Sequence, residues 1–224
     1  MVTPPKVMAP AHVQLPEYEQ LRGALLDSAL VVPPRMSFVR AAWNAASVWP
    51  RQVERTYRFG PPARFGGQHR EFPFHWIYAG ASVVTAAWEA QFCANDVTRP
   101  GTFYIKPDSS IGLIARFHFD CPLHFLDLGG ATASKLGIYD ALASPDHEWC
   151  QWFGCQLDQV IATSASDIDG IRYLSRRHPG NPAFAFSSRA IDRLDAMRST
   201  TVTAFTDEGA FADLRRDPCC VAPP

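Results

Sequence analysis

The segment 56–90, TYRFGPPARFGGQHREFPFHWIYAGASVVTAAWEA, decides how this chain is read. Arg, His, Tyr and Gly crowd against a short apolar run, Trp76–Ala79, which reads as a buried strand. Ser82 is a good N-cap, and the Ala-rich stretch from Val83 to Asn95 contains neither Pro nor Gly, which predicts a helix over 83–95. At about 100° per residue, Val84, Ala87, Gln91 and Asn95 fall on one side of that helix. Glu89 falls on the other side, with Thr85, Ala86, Phe92 and Cys93. A carboxylate among Phe and Cys costs several kcal/mol to bury unless it is paired or hydrogen-bonded. Arg58, Arg64, His69 and Arg70, just upstream, are the expected partners. A structural ion pair and a catalytic Glu are both consistent with that placement.

Working outward, Val53–Phe59 reads as a strand ending at Gly60-Pro61-Pro62, and 60–75 as a polar loop. Residues 1–16 are a Pro-containing arm. Glu17–Val31 carries Tyr18, Leu21, Leu25 and Ala29 on one stripe and reads as an amphipathic helix stopped by Pro33-Pro34. Ser37 is expected to cap a second short helix through Phe38, Ala41, Ala42 and Ala45. Residues 1–52 thus form a helical N-terminal extension, and 53–224 one domain. Downstream, Ser110–Asp120 alternates Ile111, Leu113, Ala115, Phe117 and Phe119, a half-buried strand. Leu123–Leu128 is another strand, followed by a short helix at 131–137 after Gly129-Gly130. His147–Thr163 is a strong amphipathic helix with Gln156 on its apolar side. Ile171–Ser175, Phe184–Phe186 and Thr200–Phe205 are strands, the last at an edge before a frayed tail. Strands outnumber helices in the centre without a βαβ rhythm, which favours an α+β fold.

Composition narrows the function. With 21 basic and 22 acidic residues, net charge −1 leaves no general attraction for nucleic acid or anionic membranes. No apolar run approaches the roughly 20 residues of a membrane span, and the N-terminus lacks an apolar signal core, so a cytoplasmic protein is expected. None of the six cysteines forms a CxxC pair or sits at ligand spacing from a His. Reduced thiols are therefore expected, and no metal. Gly66-Gly67 lacks the further Gly or Lys of a nucleotide fingerprint.

Three elements in order resemble the RES-domain family, named for its Arg, Glu and Ser: TYRFG followed by RFGG, IYAGASVVTAAWEA, and DGIRYLSRR. HFLDL and the Gln-bearing helix before DGI also fit, and the resemblance spans about residues 53–195. The chain departs from the family at Gln68, where a second Arg is usual, and at Leu174, where a Pro is usual. Phe153 and Gly154 stand where some members carry a hydroxyl. The resemblance implies an ADP-ribosyltransferase-like fold of mixed sheets with flanking helices, NAD as substrate, and no metal. It implies a toxin of a bacterial toxin–antitoxin pair that splits the nicotinamide–ribose bond, with an Xre-like antitoxin as partner. It leaves room for a dimer within that complex. Protein ADP-ribosylation, or a non-enzymatic partner-binding module with a degenerate NAD pocket, are the alternatives.

On that resemblance Glu89 would steady the sugar cation that forms as nicotinamide leaves, much as carboxylates do in glycoside hydrolysis. Arg58 would clamp the diphosphate, with Arg70 or Arg64 replacing the missing second Arg. Tyr78 or Phe59 would stack on nicotinamide. Ser175 would hydrogen-bond Glu89 or the ribose without acting as a nucleophile. Gln68 and Gln156 complete the expected NAD-binding set.

Overall fold

The computed structural model describes residues 9–66, 71–145 and 147–224. A helix, α1 (Tyr18–Asp27), leads into strands β1 (Leu30–Val32) and β2 (Phe38–Ala42). There follow β3 (Trp76–Gly80), α2 (Val83–Glu89), β4 (Cys93–Asn95), β5 (Phe103–Ile105), β6 (Leu113–Phe119) and β7 (Leu123–Asp127). Next come α3 (Gly130–Lys135), α4 (Tyr139–Ala143), α5 (His147–Thr163), β8 (Gly170–Leu174) and β9 (Pro182–Ser187). The chain closes with α6 (Ile191–Asp195), β10 (Arg198–Ala204) and α7 (Gly209–Arg216).

Eight strands form one sheet in the order β1-β7-β8-β9-β3-β2-β6-β10, and β4 pairs with β5 separately. Only β7 and β8 run parallel within the large sheet; their connection contains α3, α4 and α5. The other pairs are antiparallel, so the architecture is α+β with a mixed sheet.

One face of the sheet carries an aromatic core. Phe38, Phe117, Phe119, Phe125, Phe184 and Phe186 pack there under Ile191 and Leu194 of α6. The opposite face is covered in two halves. Over β7, β8, β9 and β3 lie α5 and α1, with Leu21, Leu25, Trp152, Phe153, Leu157 and Val160 buried. Over β2 and β6 lie α2, α7 and the small sheet, around Phe92, Cys93, Ile114 and Phe205.

Between these two covers the sheet itself loosens. β2 and β3 share a single register pair, Val39 with Gly80. Beyond it Arg40 bridges the gap, donating Nη1 to the Tyr78 carbonyl (2.7 Å) and Nε to the Ser47 carbonyl (2.9 Å). Side-chain donors thus stand in where ladder bonds lapse. Burial lowers the Arg40 pKa to about 10, which leaves it charged at neutral pH.

Several local expectations are corrected. The helix expected from Ser37 is strand β2, with Phe38 and Ala42 facing one core and Val39 and Ala41 another. A central strand apolar on both faces has no strict alternation, so its alanines mimic a helix. The first helix stops at Asp27, and Leu30–Val32 pairs with β7 instead of extending it. The main sheet therefore draws on residues from both sides of the expected boundary at 52/53. Val53–Phe59 is not a strand: it runs irregularly into a turn at Tyr57–Gly60.

The helix expected over 83–95 ends at Glu89. Gln91 adopts φ +60, its amide bonds Trp88 O, and the Phe92 amide bonds Ala87 O. This is a left-handed helix stop, and it swings Phe92 into the core. Ile111 is exposed, and β6 begins at Leu113. The tail, expected to fray, forms α7 and then a strap: Phe103 N bonds Cys219 O and Val221 N bonds Phe103 O.

Candidate active site

Glu89 is the last residue of α2, and Ser82 caps the helix start by accepting the Thr85 amide (3.1 Å). Gly80 lets α2 sit directly on β3: a Cβ there would lie 2.8 Å from the Ala86 nitrogen. That contact fixes the helix axis and, with it, the height of Glu89 above the sheet.

The carboxylate is held by two hydroxyls. Tyr173 Oη donates to Glu89 Oε2 (2.8 Å), and Ser175 Oγ donates to Oε1 (2.6 Å). Both donors are buried, each 2% exposed. Ser175 Oγ also accepts the His178 amide (2.9 Å). That amide leaves the single hydroxyl proton to point at Glu89. Burial, with the Glu89 charge adding, pushes the Tyr173 pKa well above its ordinary value, so it remains a donor across the physiological range. His178 Nδ1 lies 3.0 Å from Thr85 Oγ1, which is itself 3.0 Å from Ser82 Oγ. The turn after β8 is thereby stitched to the first turn of α2.

Arg58 is aimed by β3. Tyr78 Oη accepts the Phe59 amide (3.0 Å), and Trp76 Nε1 donates to the Phe59 carbonyl (2.6 Å). With both backbone groups of Phe59 fixed, the guanidinium of Arg58 lies over the Phe59 ring (5.0 Å) and the Tyr173 ring (5.8 Å). Among the described residues no carboxylate pairs with it, and its buried Nε has no hydrogen-bond partner. A buried cationic donor left open in this way is a natural place for an anion.

Glu89, Arg58 and Tyr78 line one cavity of about 310 Å³ in the gap between the two helical covers. Arg40, Arg55, Arg58, Arg176, Arg177 and Lys106 line it; Glu89 is the sole carboxylate among the described lining residues. In a chain of net charge −1, this cation-rich wall is a local concentration. Arg58 and Arg176 also line a smaller cavity of about 170 Å³ beside it, walled by Phe59, Leu128, Tyr139, Leu142 and Tyr173.

The expected residues are placed as follows. Glu89, Arg58 and Tyr78 line the main cavity. Ser175 and Phe59 line the smaller one. Phe59 is fully buried, its ring edge-on to Tyr173 (5.2 Å). Gln156 lines neither: its Nε2 donates to the Pro16 carbonyl (3.0 Å), tying α5 to the N-terminal arm. Arg64 lies over Trp152 of α5 (4.3 Å). Gln68, His69 and Arg70 lie outside the described residues. Glu89's observed partners are hydroxyls, and no described cation stands within ion-pair distance of it.

Sequence reasoning missed Arg40, Tyr173 and Arg176. Arg40 was hidden inside the supposed helix. Tyr173 was legible, because residues 173 and 175 share a face of an extended chain. Arg176 follows Ser175 directly, and only the turn geometry sends it to the cavity. Among the described residues no group of three His, Cys, Asp or Glu is placed to hold a metal, and no helix is long and apolar enough to cross a membrane.

One mixed sheet loosened between β2 and β3, with one carboxylate steadied by hydroxyls beside an arginine-lined cavity, is the setting of the site. The RES domain matches residues 37–208, and the chain belongs to the RES-domain family. The family's fold is ADP-ribosyltransferase-like, and its members are in general NAD-processing, toxin-like modules paired with an antitoxin. The match begins at residue 37 and so includes β2 and Arg40. No curated protein matches the chain.

Proposed function

We propose that this protein is the toxin of a toxin–antitoxin pair and cleaves the nicotinamide–ribose bond of NAD, with water or phosphate as acceptor. The observation that carries this reading is the setting of Glu89: one carboxylate, oriented by Tyr173 and Ser175, in a cavity whose other charged lining residues, among those described, are arginines and a lysine.

The chemistry follows from the charges. As the C–N bond breaks, its electron pair goes to the pyridinium nitrogen, nicotinamide leaves neutral, and positive charge develops on the ribose. A fixed anion beside the ring favours that state over the ground state, which is the requirement for catalysis. Arg58, with its open buried Nε, and Arg176 suit the diphosphate. Arg40 adds positive potential and keeps the gap between β2 and β3 in shape. Tyr173 and Ser175 are positioning residues: each spends its proton on Glu89.

Production of the protein without an antitoxin should stop growth and lower cellular NAD. Glu89→Gln should abolish both effects, since an amide carries no charge to stabilise the sugar cation. Equal NAD loss with wild type and Glu89→Gln would refute the reading. A labelled protein band from labelled NAD, with no free product, would favour protein ADP-ribosylation instead.

A further inference from the structure

The residues lining the main cavity fall into two groups. In one, the Glu89 carboxylate turns toward β8, where Tyr173 and Ser175 hold it, and Arg58 and Arg176 line the same cavity. The other group gathers on the chain just past α2. There Trp43, at the end of β2, donates its indole Nε1 to the Ala90 carbonyl (3.2 Å). Its ring meets Phe92 edge-on (4.7 Å, 72°), and Phe92 is fully buried. Lys106 is anchored beside it through its amide to Phe92 O (2.8 Å), and its side chain lines the same cavity.

Trp43 is 37% exposed, although burying an aromatic ring is worth about 1.5–3 kcal/mol. An indole that is immobilised by a hydrogen bond and an edge contact, yet left open to a cavity, is a preformed stacking platform. The lysine beside it supplies charge for a phosphate or a phosphorylated ribose.

We propose that the Trp43–Lys106 group is the subsite for the adenylate half of the dinucleotide, with the purine stacked on the Trp43 indole. This rests on the reading of the site as an NAD site, and it goes beyond that reading by assigning a direction: nicotinamide ribose at Glu89, adenine at Trp43. The second nucleobase is then gripped by stacking, which tolerates any purine.

The test uses the two halves of the substrate as separate probes. Adenosine monophosphate and nicotinamide mononucleotide are titrated calorimetrically into wild type, Trp43→Leu and Trp43→Phe. Trp43→Leu should weaken adenosine monophosphate about ten-fold or more, in line with about 1–3 kcal/mol per stacked base, and leave nicotinamide mononucleotide unchanged. Trp43→Phe should retain most of the affinity. For NAD cleavage, Trp43→Leu should raise KM with kcat nearly constant. The unchanged binding of nicotinamide mononucleotide reports that the variant is folded. Unaltered adenosine monophosphate binding in Trp43→Leu, or parallel loss of both ligands in both variants, would overturn the assignment. Because these are binding readouts, they stand whether or not NAD is cleaved; absent turnover with intact, Trp43-dependent binding would count against the proposed reaction alone.

Discussion

Glu89 concentrates the account at the scale of a residue, and its two donors make separable predictions. Tyr173→Phe removes one hydrogen bond to a charged oxygen, which is worth about 1.5–3 kcal/mol. NAD turnover should fall roughly ten-fold or more, mainly in kcat, because the carboxylate loses orientation while the diphosphate grip is untouched. Steady-state kinetics with a KM change and constant kcat would show that Tyr173 binds substrate instead. Ser175→Ala should do the same and also loosen the turn to His178, since Ser175 Oγ accepts that amide. The sequence made Glu89, Arg58 and Ser175 legible through the order of motifs. It also offered Ser175 as a hydrogen-bond partner of Glu89, but not Tyr173: the upstream arginines were the nearest in sequence, whereas the two donors lie 84 and 86 residues away across the sheet. Charge pairing is easily imagined from a sequence, whereas hydroxyl orientation depends on which strand faces a helix end.

Elements were legible where one period dominated. His147–Thr163 is bounded as the apolar stripe predicts, and β3 differs from its expected span by one residue. Misreadings occurred where small residues blur the period, as in β2, and where a helix stops without a Gly. Gln91 carries that stop at φ +60, a region that costs a side-chain-bearing residue about 1–2 kcal/mol. Gln91→Gly should therefore stabilise the protein by about 1 kcal/mol in thermal unfolding; destabilisation would mean the Gln91 side chain makes a compensating contact. Gly154 behaves oppositely. A Cβ there would sit 1.9 Å from the Phe59 carbonyl oxygen, so α5 presses its bare backbone on the residue that aims Arg58. That contact explains why a side chain carrying a hydroxyl has no room here. Gly154→Ala should displace Phe59, destabilise the fold by about 1–3 kcal/mol as overpacking does, and raise KM for NAD more than it lowers kcat. Unchanged KM would separate α5 from the placement of Arg58.

Across the whole molecule, the closing strap joins the C-terminus to the half of the structure that carries α2. Asp96, in the turn after β4, accepts the Thr98 hydroxyl (2.6 Å), which with the Thr98 amide and Arg99 lowers its pKa to about 2. Arg99 in turn reaches the Ala222 carbonyl (2.8 Å) of the strap. A carboxylate whose folded pKa lies below its unfolded value of about 3.9 contributes stability that is present above that value. This contribution is lost as pH falls toward 2. Asp96→Ala should therefore be less stable than wild type at pH 6, with the gap closing by pH 2–3 in denaturant titrations; a gap independent of pH would place the effect in packing. The overall class, α+β around a mixed sheet, was readable from the irregular order of strands and helices. The participation of β1 and β2 in that sheet was not, because pairing between distant segments leaves no local pattern.

The proposed reaction rests on one carboxylate acting on one bond. The most direct measurement is nicotinamide released from NAD by the purified protein, freed of any antitoxin, compared with Glu89→Gln at equal NAD binding. Wild type is expected to release nicotinamide and the variant at least a hundred-fold less, the order expected when an electrostatic stabiliser is removed. Comparable release by both proteins would contradict it.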